Sequence, residues 1–291
     1  MRKGIILAGG SGKRLNPLTK CISKQLLPVY NKPLIYYPLT TLMLIGIKDI
    51  LIIINPGEEK LFQKLLGNGK QFGINLSYEI QDKPEGIAQA FLISENFLKG
   101  KNSVLILGDN IFYGDDLIEK LRKASNKKKS STIFGYKVKD PERYGVIEFG
   151  RDKKVKSIEE KPPVPKSRFA VTGIYFYDND VVDYAKTITK SSRGELEITD
   201  LNNIYIQKGK LKTEIFGRGS AWFDTGTHDS LLEASNFIYT LEKRQSLKIG
   251  CPEEVAWRNK WITNNQLKRL STASSKNEYG KYIDDLTNLK E

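Results

Sequence analysis

The chain has a single histidine, His228, and only two cysteines, Cys21 and Cys251. This scarcity excludes most of what transition metals need: no His/Cys cluster with zinc spacing can be drawn, and two thiols so far apart make no disulfide framework. They suit a reducing compartment, and the expected location is cytoplasmic. No Ser/His/Asp triad can be argued around His228, just past Asp224, and it reads as structural. Long apolar runs are also missing. None reaches the ~18 residues of a membrane span, so no membrane is expected as a partner. The N-terminus runs straight into the first strand, leaving no room for an expected signal peptide. No internal repeat and no low-complexity segment is present.

Acid is outnumbered by base, 34 residues to 47, for a net charge of +13. That excess suits a polyanionic partner such as a nucleotide, or else lysines spread over solvated faces. The basic runs are short (Lys127-Lys128-Lys129 and Lys153-Lys154), fall in loop-like segments and carry no interleaved aromatics. They do not make a nucleic-acid surface. With 291 residues, 39% of them hydrophobic, the chain can build one large core with a small appendage.

Strand-like apolar runs occur at 4–8, 49–55, 75–81, 103–108 and 132–138. Between them, 34–45, 58–66, 87–98 and 116–124 have helical spacing. Continuous Ile/Leu/Val runs indicate strands buried on both faces. Their alternation with helices predicts an α/β, Rossmann-like, doubly wound and mostly parallel mixed sheet. Ligands of such sheets bind outside the carboxyl ends of the strands, which puts 9–14, Gln81 and Asp109 on one rim. The second half is more mixed, with strands over 155–160, 169–177 and 211–216 and a helix over 229–242. The expected division is a core over 1–240, its two halves meeting at about residue 115, and a helical appendage over 241–291.

The richest segment runs from Gly4 to Pro28. A buried strand ends in Gly9, Gly10 and Gly12, followed by Arg14 and later by Lys24-Gln25. The dinucleotide fingerprint fails because its third glycine falls on Leu15. The P-loop fails because Leu7 and Arg14 occupy its fixed positions. What remains is a turn of bare amides flanked by cations, suited to phosphate. Arginine can grip a phosphate with two parallel hydrogen bonds, while lysine serves as a point charge.

Two aspartates follow strand-like runs: Asp109 in Leu-Gly-Asp-Asn and Asp224 in Trp-Phe-Asp-Thr-Gly. Each could merely cap the next element. Together they make a plausible magnesium pair, since a hard cation needs few carboxylates when phosphates complete its shell. Spacing does not show that they meet. Glu160-Lys161 could hold a sugar hydroxyl and its phosphate, or be a solvated strand end. Arg193 begins a loop that enters a helix and could reach an anion. Gln81 and Gly86, around Pro84, could read a base. No general base is required if the nucleophile is a phosphate monoester, whose second pKa of ~6 leaves it largely dianionic.

On these residues the chain closely resembles the sugar-phosphate nucleotidyltransferases, nearly end to end. Asp-Pro-Glu-Arg-Tyr-Gly-Val (140–146), Arg-Gly-Glu-Leu-Glu-Ile-Thr-Asp (193–200) and the Glu-Lys-Arg-Gln…Cys-Pro-Glu-Glu tail point to the thymidylyl branch. The resemblance implies that dTTP and glucose 1-phosphate give dTDP-glucose and pyrophosphate, with Mg2+ and in-line attack at the α-phosphorus. It further implies the first step of dTDP-rhamnose-type deoxysugar and polysaccharide synthesis. Carried over by motif, Gly9, Gly10, Ser11, Gly12, Lys13 and Arg14 wrap the triphosphate, and Arg14 steadies the leaving pyrophosphate. Lys24 neutralises charge at the α-phosphate, and Gln25, Gln81 and Gly86 handle the nucleoside. Asp109 and Asp224 hold the metal. Asn110, Tyr144, Gly145, Glu160 and Val171 surround the sugar, and Lys161 and Arg193 bind its phosphate. The resemblance also implies a homotetramer and a second nucleotide site near Cys251 and Arg258. Lys13 stands where the family usually has threonine, and Asn16 where it often has tyrosine. The rival readings are a uridylyltransferase on the same fold and a non-catalytic nucleotide-binding module.

Overall fold

The computed structural model describes residues 2–152, 154–273 and 276–287; Lys153 of the second basic run lies outside them. In the first half, β1 (Lys3–Leu7) is followed by the hairpin β2 (Pro28–Val29) and β3 (Lys32–Pro33), then α1 (Tyr36–Leu44), β4 (Asp49–Ile54), α2 (Glu59–Leu66) and β5 (Asn75–Ile80). Next come α3 (Gln89–Ile93), α4 (Glu95–Leu98), β6 (Ser103–Leu107), β7 (Asn110–Tyr113) and α5 (Leu117–Asn126). The second half holds β8 (Ser131–Lys137), β9 (Gly145–Phe149), β10 (Val155–Glu160), β11 (Phe169–Tyr177), α6 (Val181–Lys186), α7 (Ile198–Gln207), β12 (Leu211–Ile215) and β13 (Ala221–Asp224). The chain then runs through α8 (His228–Gln245), α9 (Pro252–Arg258), α10 (Asn264–Ala273) and α11 (Glu278–Leu286).

The expected α/β sheet is present. Its strand order is β10-β9-β11-β6-β1-β4-β5, with β8 on β11 and β12 on β8. The apolar run of β1 forms a central strand: Ile5 pairs in parallel with Leu51 of β4 and Leu105 of β6. Ile5 and Ile6 are both fully buried, on opposite faces of the sheet. Because β1, β4, β5 and β6 run parallel, the segments after all four leave at one edge. Antiparallel pairing enters with β11, against β6, β8 and β9, in the half whose pattern read as mixed.

The helix expected over 87–98 is two short helices. The break falls at Ser94, which is buried and donates its hydroxyl to the Phe91 carbonyl at 3.3 Å, competing with the helical ladder. Helix α8 starts at His228 because Thr227 caps it: the Thr227 side chain accepts from Ser230 N–H at 3.2 Å, and the Ser230 hydroxyl accepts from Thr227 N–H at 3.0 Å. The sole histidine is thus the first residue of a helix. At the C-terminal end, Val255, Ala256, Leu267, Ile283 and Leu286 share a buried cluster with Leu42 and Met43 of α1. Among the described residues, no helix is long and apolar enough to cross a membrane.

Candidate active site

Two cavities open at the carboxyl edge of the parallel strands. The smaller, about 350 Å³, is lined by residues 9–15, Lys24, Gln25, Pro84, Asp109, Glu195 and Gly226. The larger, about 460 Å³, takes Arg14, Asp109, Asn110, Tyr144, Gly145, Glu160, Lys161, Val171, Arg193 and Asp224 among its walls. Arg14, Asp109 and Glu195 line both. The phosphate-type residues and the sugar-type residues of the sequence therefore fall into adjoining spaces that meet at an arginine and an aspartate.

The two aspartates come together through a strand pair. In the β7–β13 ladder Asp224 lies opposite Asn110. Past it, Thr225 donates to the Asp109 carbonyl from its amide at 3.2 Å and from its hydroxyl at 2.9 Å. A Cβ on Gly226 would lie 2.9 Å from Arg14 Nη2 and 3.1 Å from Asp224 Oδ1, so the Arg14 guanidinium and the Asp224 carboxylate crowd the same glycine. Lys24 Nζ sits 2.5 Å from Asp109 Oδ2, and Asn110 Nδ2 donates to Asp109 Oδ1 at 2.8 Å. Burial opposes the charge on Asp109, but Lys24 and these hydrogen bonds outweigh it and hold the carboxyl below its usual range. Burial, and after it the charge of Asp109, pushes Asp224 the other way. Among the described residues no group of three or more His, Cys, Asp or Glu gathers as a metal site. Two carboxylates pressed together against their own repulsion fit a hard divalent cation that keeps waters and takes phosphate oxygens.

In the larger cavity, Glu160 is mostly buried, which raises its pKa, and its Oε2 accepts from Thr199 Oγ1 at 2.5 Å. A Cβ on Gly145 would come 3.0 Å from Thr199 Oγ1 and 3.3 Å from Glu160 Oε2, crowding the pair. Tyr144 faces Trp222 with ring centroids 5.2 Å apart. The Trp222 indole donates to Asn110 Oδ1 at 2.6 Å, so Trp222, Asn110, Asp109 and Lys24 form one hydrogen-bonded chain. Lys161 sits at φ +43° and donates its amide to the Tyr144 carbonyl at 3.0 Å. Arg193 is held among carboxylates: Glu195 at 2.7 Å, Glu197 at 3.2 Å and Glu160 at 3.8 Å.

Gln81 and Gly86 line neither cavity. Gln81 is buried under Gly9, where a Cβ would meet Gln81 Oε1 at 2.1 Å, and its amide donates to Gln89 Oε1 at 2.7 Å. Gly86 sits at φ +105° against the backbone of Leu196, whose carbonyl accepts from Ala88 N–H at 3.1 Å. Leu196 N–H in turn donates to Glu85 O at 2.7 Å. The segment thought to read a base is thus zipped to the Arg193 loop. Trp222, Thr199, Glu195 and Glu197 are lining residues that sequence reasoning missed in these roles. Glu195, Glu197 and Thr199 lay inside a segment quoted for its resemblance, and Trp222 two residues before Asp224, which were the available signals.

The nucleotidyl transferase family model matches residues 3–240. A glucose-1-phosphate thymidylyltransferase of Xanthomonas campestris is 58% identical over 285 residues, 98% of this chain and 97% of the relative. One from Neisseria meningitidis is 54% identical over 281 residues, covering 97% and 98%. A solved Bacillus anthracis structure named for the same activity, in complex with sucrose, is 44% identical with a TM-score of 0.76, covering 81% of this chain and 95% of that one.

Proposed function

The chain belongs to the nucleotidyl transferase family, and from that premise we propose that it transfers a thymidylyl group from dTTP to glucose 1-phosphate, giving dTDP-glucose and pyrophosphate. The relatives' shared activity supports the substrates. The observation that carries the chemistry is the meeting of the two cavities at Arg14 and Asp109. A triphosphate along residues 9–14 and a sugar phosphate between Lys161 and Arg193 would then meet at their reacting phosphates.

The residues divide the work as follows. Gly9 and residues 11–13 present backbone to the triphosphate, and Arg14 grips the phosphates that leave. Lys24 offsets charge at the α-phosphate. Lys161 and Arg193 hold the sugar phosphate in line, with Glu160 accepting from a sugar hydroxyl. Tyr144, whose pKa burial pushes up to about 12, remains a neutral phenol beside the sugar. The attacking phosphate is already anionic, so alignment and charge neutralisation are the main tasks. Asp109 and Asp224 would hold magnesium, which when bound neutralises phosphate oxygens. Arg193 must exchange part of its carboxylate cage for the phosphate as substrate enters.

The same reading makes the enzyme cytoplasmic and the first step of dTDP-rhamnose-type synthesis. It also makes it a homotetramer, which sedimentation would measure; Leu232 and Tyr239 on α8 and the neighbouring Tyr30 offer exposed apolar surface for subunit contact. The deciding assay is pyrophosphate release from glucose 1-phosphate with dTTP and with UTP, with magnesium and with chelator. We expect turnover with dTTP and magnesium only. A strong preference for UTP would overturn the base assignment, and full activity in chelator would overturn the metal.

A further inference from the structure

The glycine loop is gripped from behind by a side chain that lines neither of the two cavities. Asn55 follows β4, 45 residues along the chain from Gly10. Gly10 N–H donates to Asn55 Oδ1 at 2.9 Å, and Asn55 Nδ2 donates to the Gly10 carbonyl at 3.0 Å. The same Nδ2 donates to Glu58 Oε2 at 3.1 Å, which sets the orientation of the amide. Asn55 therefore holds both polar groups of Gly10 in one direction, at a φ of +104° that glycine tolerates best. Two residues on, the Gly12 carbonyl accepts from Thr19 Oγ1 at 2.8 Å.

A cradle for an anion must show N–H groups and turn its carbonyls away. In this loop the carbonyls of Gly10 and Gly12 are each tied to a side-chain donor. The Gly10 N–H is also spent on Asn55, so the amides left to meet phosphate belong to its neighbours along the cavity wall. We propose that Asn55 is a positioning residue for the triphosphate. By fixing the Gly10 peptide it keeps that carbonyl off the phosphates and sets the direction in which Ser11, Gly12 and Lys13 enter the cavity. An aspartate at 55 would repel both the Gly10 carbonyl and Glu58, and an aliphatic side chain would release the peptide. The inference rests on the nucleotide reading above.

The test uses the full chain with Asn55→Ala and Asn55→Leu, the second keeping the volume without the hydrogen bonds, each checked by thermal melting. Calorimetry without glucose 1-phosphate compares dTTP with dTMP. The loss of two backbone hydrogen bonds is expected to weaken dTTP about tenfold while dTMP binding stays within about twofold of wild type. KM for dTTP rises in step and KM for glucose 1-phosphate does not. Unchanged dTTP affinity, or equal losses for dTTP and dTMP, overturns the proposal. Hydrogen exchange at Gly10 in the wild type decides independently of any variant's folding. Protection already present without nucleotide supports Asn55 as the acceptor, and protection that arises only with nucleotide overturns it. A wild type that prefers UTP would sink the base assignment alone, because the same triphosphate-to-monophosphate comparison on UTP and UMP still judges Asn55.

Discussion

Lys24 Nζ lies 2.5 Å from Asp109 Oδ2, a partly buried ion pair at the junction of the two cavities. The lysine stands beside the carboxylate proposed to take the metal. In the free protein it holds the Asp109 carboxyl below its usual range, against the burial that pushes it up. When phosphates and a cation arrive, the ammonium is already at the place where negative charge accumulates. One residue thus keeps the site charged when empty and offsets charge when full.

Asp109→Asn keeps the shape and removes the charge. Turnover is expected to fall by at least ~10³-fold, the scale of losing a main electrostatic contact, while dTTP affinity by calorimetry drops far less. Unchanged turnover would refute the metal role.

Trp222→Phe keeps a ring against Tyr144 but removes the donor to Asn110 Oδ1 at 2.6 Å. With Asn110 free to turn, Asp109 keeps Lys24 but loses its second fixed partner. A drop in kcat of about tenfold is expected, the scale of one hydrogen bond at ~1.4 kcal/mol, and raising magnesium should recover part of it. Steady-state kinetics against metal concentration checks this.

Gly86→Ala forces a Cβ to within 2.4 Å of the Leu196 carbonyl at a positive φ. Separation of the two zipped loops, or about 1–3 kcal/mol of lost stability, is expected. Urea unfolding measures the stability. KM for both substrates should rise together, because Leu196 joins the base-side loop to Arg193.

Glu242 of α8 accepts from Lys32 at 2.6 Å, from Asn31 and Lys248 at 2.9 Å and from Ile249 N–H at 3.0 Å. Burial opposes its charge, but Lys32 and the other donors win, so the folded pKa lies below the ordinary 4.5. A depressed folded pKa means that the stabilisation is complete above the ordinary value of 4.5 and drains away as pH falls from there through the folded pKa. The melting temperature should therefore drop steeply below about pH 4.5. Glu242→Gln, which strands Lys32, should cost about 3–5 kcal/mol near neutrality and flatten the acid slope. An unchanged acid slope in the variant would assign it to other carboxylates.

The sheet was legible where local chemistry is self-sufficient. Runs such as Ile50–Ile54 read as strands buried on both faces and are so, and β1 was found within a residue of its expected limits. The helix over 87–98 was misread as continuous because periodicity does not register the buried hydroxyl of Ser94. Among candidate site residues, the glycine loop, Asp109 and Glu160 announced themselves by standing at strand ends. Trp222 and Asn55 did not, since each acts through a hydrogen bond to a residue distant in the chain.

Composition and short-range pattern were enough to read an α/β chain with a glycine turn flanked by cations and two aspartates that each follow a strand-like run. Those features depend on residues within a few positions of one another. Whether Asp109 and Asp224 meet was a different kind of question, because nothing along the intervening chain encodes their distance. It was decided by the pairing of β7 with β13 and by Thr225 bonding to the Asp109 carbonyl. The turn after β1 needed the same help: its glycines permit many conformations, and the side chains of Asn55 and Thr19 select one.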